Sequence, residues 1–138
     1  MSVLPLQRDP QSAPFFDATA LNTLLLRACQ RCGHWNAPDR SVCSRCSSAH
    51  LSWARSCGCG TVVSWAAVHS RSEPSSITVV GIIELDEGPW LRGQLRSSPA
   101  ATYTGMRVAA DYVAAEGGEA IPVFAPVEDH SLPHRQEI

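Results

Sequence analysis

The second half of the chain alternates apolar and polar positions, as β-strands with one buried face do. In residues 77–85, Ile77, Val79, Ile83 and Leu85 would share one face of a strand. Short turn-forming runs separate this segment from similar ones on either side. The pattern predicts strands at 61–69, 77–85, 90–96, 106–115 and 120–127. Five strands joined by short turns indicate a small barrel or sandwich.

Proline positions refine this picture at both ends of the chain. Pro14 is suited to the first turn of a helix, which we expect to end near Asn22. Residues 24–26 (Leu-Leu-Leu) could continue that helix or form a strand, and we favour the strand. Pro122 has no N–H for a sheet ladder, so the last strand should lie at an edge or carry a bulge.

The strongest motif lies between these regions. CQRCGHWNAPDRSVCSRC has the spacing C-x2-C-x10-C-x2-C. Two residues between cysteines fold the chain into a tight knuckle, and two knuckles supply four thiolates for a tetrahedral Zn²⁺. Gly33 follows the first pair, where positive φ is common, whereas Ser47 occupies that place after the second pair. We therefore predict one structural zinc ion bound by Cys29, Cys32, Cys43 and Cys46, with iron as the alternative metal.

Two further cysteines, Cys57 and Cys59, flank Gly58. C-x-C is not a zinc-knuckle spacing, and neither His50 nor His69 lies at a recognised distance from it. We interpret the pair as free cysteines at the entrance to a strand. His34, beside the first knuckle, is interpreted as a surface residue or a neighbour of the ligands.

Charge is distributed unevenly in this 138-residue chain. Residues 1–71 carry a net charge of +4 and residues 72–138 a net charge of −6, giving −2 in total. Several arginines surround the cysteine motif and balance its thiolates, although they could also form a patch for phosphate groups. Trp53, Trp65 and Trp90 are interpreted as core or interface residues, because no basic residues alternate with them on the strands.

The chain shows no secretion signal and no apolar run of about 20 residues, so we expect a cytoplasmic protein. In a reducing compartment, clustered cysteines favour metal binding over disulfides. We find no glycine-rich phosphate loop before a helix and no nucleophile–base arrangement of a known enzyme class.

Taken in order, the motifs resemble the family known as domain of unknown function 35. The resemblance rests on Phe15-Phe16, LLLRACQRCGHWNAPDRSVCSRC, Gly60-Thr61-Val62, IIELDEGPWLRGQL (82–95), TGMRVAADYV (104–113) and PVFAPV (122–127). It implies a mainly β protein with a short N-terminal helix, a rubredoxin-like zinc ribbon and a five-stranded OB-fold barrel. The corresponding segments are a flexible arm (1–13), helix and ribbon (14–55), OB-fold (56–127) and a flexible tail (128–138).

The resemblance also implies a function without catalysis. Family members are accessory subunits of thiolase-superfamily acyl-CoA enzymes, including aldolases of steroid side-chain breakdown and acyltransferases, and others associate with enoyl-CoA hydratases. We therefore expect a scaffold in a hetero-oligomer that helps to bind or pass a CoA thioester. A weaker expectation is that four ribbon arginines contact the CoA phosphates: Arg27, Arg31, Arg40 and Arg45.

Two other classes stay open from the residues alone. Zinc ribbons and OB-folds can bind single-stranded nucleic acid, although the negative charge of residues 72–138 opposes this. Iron in the four-thiolate site would instead give a redox protein, which metal analysis and visible absorption would distinguish.

Overall fold

The structure is a computed structural model that describes residues 7–73 and 76–127. The predicted tail (128–138) and the first six residues of the predicted arm lie outside the described residues. The elements in chain order are a helix, α1 (Ala13–Thr19), and eight strands: β1 (Leu24–Cys29), β2 (Trp35–Asn36), β3 (Leu51–Ser56), β4 (Cys59–His69), β5 (Ile77–Leu85), β6 (Trp90–Leu95), β7 (Arg107–Val113) and β8 (Ile121–Pro126).

These elements form two sheets. Strands β2, β1 and β3 make a three-stranded antiparallel sheet, which with its cysteine loops we call the ribbon. The other five strands close into a barrel in the order β4-β5-β6-β8-β7. The predicted fold class, mostly β with one short helix and a five-stranded barrel, is confirmed.

Strand pairing explains where the observed ends differ from the predicted ones. β4 begins two residues before the predicted Thr61, because Cys59 and Gly60 already pair with β7. β7 ends at Val113, where its pairing with β8 ends. The helix stops at Thr19 rather than near Asn22, and Asn22 then has φ 58°, a left-handed conformation that ends helical turns.

The barrel closes through a narrow seam. β8 pairs with β7 from Ile121 to Pro126, but its parallel pairing with β6 consists of Leu95 opposite Phe124. In the closed barrel β8 lies between β7 and β6 and its register with β7 is regular, so the expected edge strand or bulge at Pro122 is wrong. Pro122 lies opposite Tyr112 of β7, and the pairing with β6 does not extend to it, so the missing N–H of proline interrupts no bond toward β6.

One apolar core joins the ribbon and the barrel. Leu24 and Leu26 of β1 are buried together with residues from every barrel strand. The alternation predicted for β5 holds for Val79, Ile83 and Leu85, whereas Ile77 at the start of that strand is exposed. The barrel members of this core are Val62, Val79, Ile83, Leu85, Leu95, Met106, Val108 and Phe124.

The helix is fixed to the far end of the chain. The hydroxyl of Thr19, which is fully buried, donates to the carbonyl of Ala120 at 2.7 Å. Arg8 forms ion pairs with both Asp17 and Glu119. These contacts hold α1 against the β7–β8 turn. No helix in the described part of the chain has the length and apolar character that crossing a bilayer requires.

Candidate metal centre

Each pair of predicted ligands sits in a tight backbone turn. In the first knuckle (Cys29–Gly33), the N–H groups of Arg31 and Cys32 point at the sulfur of Cys29, at 3.3 and 3.4 Å. The N–H of Gly33 donates to the carbonyl of Cys29 at 3.0 Å, and Gly33 has φ 80°. The positive φ predicted for Gly33 is therefore observed, and glycine adopts it without strain.

The second knuckle (Cys43–Ser47) repeats this geometry. The N–H of Arg45 lies 3.4 Å from the sulfur of Cys43, and the N–H of Ser47 donates to the carbonyl of Cys43 at 2.9 Å. Ser47 has φ 66°, although its side chain disfavours the left-handed region. The fold therefore imposes the same turn on both knuckles, and the second one stores some backbone strain.

The two knuckles bring all four sulfurs together. The sulfur atoms of Cys29, Cys32, Cys43 and Cys46 lie within 4.8 Å of one another. Cys29 and Cys46 are 3.6 Å apart, and Cys32 and Cys43 are 3.7 Å apart. Four ligands at ~2.3 Å from one tetrahedral Zn²⁺ would be ~3.8 Å apart. The spacing is too long for disulfides, and the donors fit a zinc ion.

The thiols influence one another's ionisation. Burial raises the pKa of Cys43, but N–H groups of Cys46 and Arg45 and the side chain of Asn36 outweigh it and lower the pKa to about 6. The N–H of Ser48 lowers the pKa of Cys46, whereas burial and the three neighbouring sulfurs raise it to about 11. One thiol thus ionises readily and its neighbour resists a second negative charge. A divalent cation would remove that conflict, because it stabilises every thiolate.

Asn36 is a residue of this centre that the sequence analysis missed. Its side chain is buried and its oxygen accepts from Ser44, the residue after Cys43, by both the N–H at 2.9 Å and the hydroxyl at 3.0 Å. Its side-chain nitrogen donates to the carbonyl of His34 at 3.2 Å. Asn36 therefore fastens the second knuckle to the segment that follows the first. A polar residue inside a cysteine motif is the only sequence signal for this role.

The histidines near the ribbon contribute backbone rather than ligands. The carbonyl of His34 accepts from the N–H of Cys29 at 2.8 Å, and the carbonyl of His50 accepts from the N–H of Gln30 at 2.8 Å. His69 lies at the exposed end of β4. In the described part of the chain, no histidine belongs to the group of four sulfurs that lie close together.

The predicted phosphate-binding arginines have different surroundings. Arg31 and Arg45 occupy equivalent positions in the two knuckles and are exposed. The Nε of Arg40 donates to the carbonyl of Val42 at 3.1 Å. The guanidinium of Arg27 lies over the ring of Trp53, 4.4 Å from its centre, a cation–π contact. Of the tryptophans interpreted as core or interface residues, Trp65 packs against the core and Trp90 is 55% exposed.

A second feature is an apolar groove of about 710 Å³. It is lined by α1, by Pro38 of the ribbon, by β4, β5 and β6, and by the first residues of β8. The only sequence signal for this groove is the adjacent pair Phe15 and Phe16. Their rings pack edge to face, with the ring centres 5.2 Å apart. Its main apolar walls are Phe15, Phe16, Trp65, Ile82, Leu91 and Ile121.

Comparison with known proteins identifies the barrel. Residues 53–113 match the family model described as "ChsH2, C-terminal OB-fold domain". The resemblance to the domain of unknown function 35 family is confirmed. The match to the ChsH2 OB-fold model begins in β3 and ends with β7, so it includes the junction between ribbon and barrel.

Solved structures extend the DUF35 likeness over the ribbon. A chain of a structure described as Ltp2–ChsH2(DUF35) aldolase is 28% identical, with a TM-score of 0.75 over 86% of this chain and 96% of that one. A DUF35 protein of unknown function from Sulfolobus solfataricus is 14% identical, with a TM-score of 0.62 over 86% of each chain, which shows the shared fold. No curated protein sequence matches the chain significantly.

Proposed function

We propose that this chain is a non-catalytic accessory subunit of a thiolase-superfamily acyl-CoA enzyme, an aldolase or an acyltransferase of lipid or steroid side-chain metabolism. The observation that carries the proposal is the similarity to a chain of the Ltp2–ChsH2(DUF35) aldolase, which covers ribbon and barrel together. The subunit would work in the cytoplasm and help to assemble the complex.

The candidate metal centre supports a structural role. Four thiolates complete the coordination shell of Zn²⁺ and leave no position for a substrate or an activated water. Cys29 and Cys43 are buried. The ion bound by Cys29, Cys32, Cys43 and Cys46 would therefore shape the ribbon and would not act on the acyl thioester.

The groove supplies a surface for the catalytic partner. Apolar patches on a protein surface mark interaction sites, and this one combines aromatic and aliphatic walls. We propose that an apolar segment of the catalytic subunit covers it. The partner would then contact both the ribbon and the barrel.

The test is co-expression with a thiolase-like enzyme encoded beside this gene, followed by co-purification. We expect a stable hetero-oligomer. Ala66→Arg places a charge in the groove and should weaken the complex at least tenfold. Val68→Arg lies two residues along the same strand, is also exposed and is outside the groove, so it should leave affinity unchanged. A chain that stays monomeric beside every such enzyme would contradict the proposal.

The finer part of the proposal concerns CoA. Exposed Arg31 and Arg45 could bind its phosphates by charge-assisted hydrogen bonds, with Arg27 and Arg40 nearby in sequence. If so, Arg31→Ala and Arg45→Ala should raise the Kd of the assembled complex for CoA, and Arg55→Ala on β3 serves as a control outside the knuckles. Unchanged CoA affinity in both knuckle variants would leave the arginines with the single role of balancing thiolate charge.

A further inference from the structure

A second group of metal-ligating side chains lies where the ribbon meets the barrel. Cys57 and Cys59 come just before and at the start of β4, and the β5–β6 turn brings Asp86 to them. The two sulfurs and a carboxylate oxygen lie within 4.8 Å of one another. We call these three residues the junction cluster. It shares no residue with the four-cysteine centre.

The backbone around the junction cluster is well fixed. Gly58 has φ 79° and is buried, and its carbonyl accepts from the N–H of Ala110 at 2.8 Å. The N–H of Asp86 donates to the carbonyl of Cys59 at 2.9 Å. Barrel strand β7 and the β5–β6 turn therefore hold the donors in place, which lowers the entropy cost of gathering them around an ion.

Asp86 is oriented by a cation from the barrel. Arg107 on β7 binds both carboxylate oxygens, at 2.8 and 2.9 Å. A carboxylate offers about four lone-pair sites, so one carboxylate can bind an arginine fork and a metal ion together. Ligand carboxylates in proteins are commonly hydrogen-bonded in this way by a neighbouring group. Arg107 would act as a positioning residue.

The charges of the cluster also suit a divalent cation. Two thiolates and one carboxylate carry three negative charges, which a dication and Arg107 balance completely. An ordinary thiol is mostly protonated at neutral pH, so a bound metal would displace a proton from each cysteine.

We propose that Cys57, Cys59 and Asp86 form a second site for a thiophilic divalent cation such as Zn²⁺. Two sulfurs and one oxygen are acceptable zinc ligands, and three protein ligands leave one tetrahedral position open. Cys57 is exposed. The ion at the junction would therefore exchange with solvent more easily than one in the closed four-cysteine centre.

The experiment uses the full-length chain, purified with its four-cysteine centre loaded with Zn²⁺ and kept in a non-thiol reductant. Titration with Zn²⁺, and separately with Cd²⁺, is followed by elemental analysis after dialysis, by proton release and, for Cd²⁺, by sulfur-to-cadmium absorption in the ultraviolet. A chromophoric chelator reports any zinc displaced from the ribbon. We expect binding of about one additional equivalent, with proton release.

Variants make the site assignment specific. Cys57→Ser with Cys59→Ser should abolish the additional equivalent, and Asp86→Asn should weaken it at least tenfold. Glu87→Gln is the matched control. It changes the neighbouring carboxylate of the same turn, which accepts from the hydroxyl of Ser56 and the N–H of Cys57 at 2.8 Å each and is not in the cluster. It should retain the additional equivalent.

Any of three results would overturn the proposal. The first is a wild-type chain that binds a single equivalent while its Cys57 and Cys59 thiols are reduced. The second is an additional equivalent that persists in the double serine variant. The third is a Cys57–Cys59 disulfide that persists in the reductant, which mass analysis after alkylation detects. None of these measurements depends on the catalytic partner, so they are independent of the proposed function.

Discussion

The side-chain oxygen of Asn36 accepts two hydrogen bonds from Ser44, one from its backbone N–H and one from its hydroxyl. Ser44 is the first residue after the ligand Cys43, so this pair ties strand β2 to the second knuckle. The position of the second knuckle thus depends on a neutral amide as well as on the cysteines.

Asn36→Ala should lower the free energy of unfolding by about 1–3 kcal/mol, because it leaves the Ser44 N–H without its partner and removes one of the two hydrogen bonds that the His34 carbonyl accepts. Urea denaturation of the metal-loaded protein measures this. Ser44→Ala removes only the hydroxyl bond and should cost less, about 1 kcal/mol. If both variants lose the same free energy of unfolding, the Asn36 side chain is not the main contact between β2 and the second knuckle.

The second prediction concerns metal removal. Binding of structural zinc contributes on the order of 10 kcal/mol to folding of small zinc domains. Since Leu24 and Leu26 of the ribbon belong to the barrel core, a strong chelator should lower the thermal midpoint of the whole molecule. Acidification should act in the same direction, because protons compete with the metal for thiolates. Circular dichroism with zinc readdition follows both effects. A midpoint that chelation leaves unchanged would contradict the metal assignment.

Substitutions at equivalent positions of the two knuckles should have opposite effects on stability. Ser47→Gly relieves a left-handed residue with φ 66° and should stabilise the protein by roughly 0.5–1 kcal/mol. Gly33→Ala creates the same strain at φ 80° and should destabilise it by about 1–2 kcal/mol, although the space around Gly33 is open. Thermal denaturation distinguishes the signs, and effects of the same sign would show that the knuckles are not equivalent.

Gly60 is required for a different reason. An added Cβ would lie 2.6 Å from the backbone oxygen of Glu84, so Gly60→Ala must push β4 from β5. We expect a loss of about 1–3 kcal/mol or more. Gly117→Ala, at φ 80° in open space, controls for backbone strain without a clash and should cost about 1 kcal/mol. A milder effect at Gly60 than at Gly117 would be inconsistent with this barrel register.

A pH effect is expected at Asp111. The N–H of Tyr112 and the guanidinium of Arg96 lower the pKa of this carboxyl. Its folded pKa thus lies below its unfolded one, so its contribution to stability is present above the unfolded value and is lost as the pH falls through the folded value. Arg96→Met should raise the pKa of Asp111, and carboxyl NMR titration measures the change. An unaltered pKa would assign the shift to the Tyr112 N–H alone.

Much of this architecture could be predicted from the sequence, because its signals are local. Alternation located the barrel strands to within about two residues, and the cysteine spacing identified sulfurs that gather within 4.8 Å. The partners of Cys57 and Cys59 could not be foreseen, since the pairing of β4 with β5 and β7 decides that Asp86 and Arg107 meet them. The groove likewise depends on where α1, which packs against β1 and β8, comes to lie relative to β4, β5 and β6, and this is a tertiary property.

The short pairing between β6 and β8 affects where the barrel opens locally. One bridge, Leu95 opposite Phe124, and the bond from the N–H of Arg96 to the carbonyl of Phe124 link these strands. The ring of Phe124 lies so close to Gly93 that a Cβ there would be 3.1 Å from it. Closure of the ring of strands thus relies on the bulk of one aromatic side chain more than on a ladder of amides. Amide protons beside this seam should exchange with solvent water before those of the long β4–β5 pair.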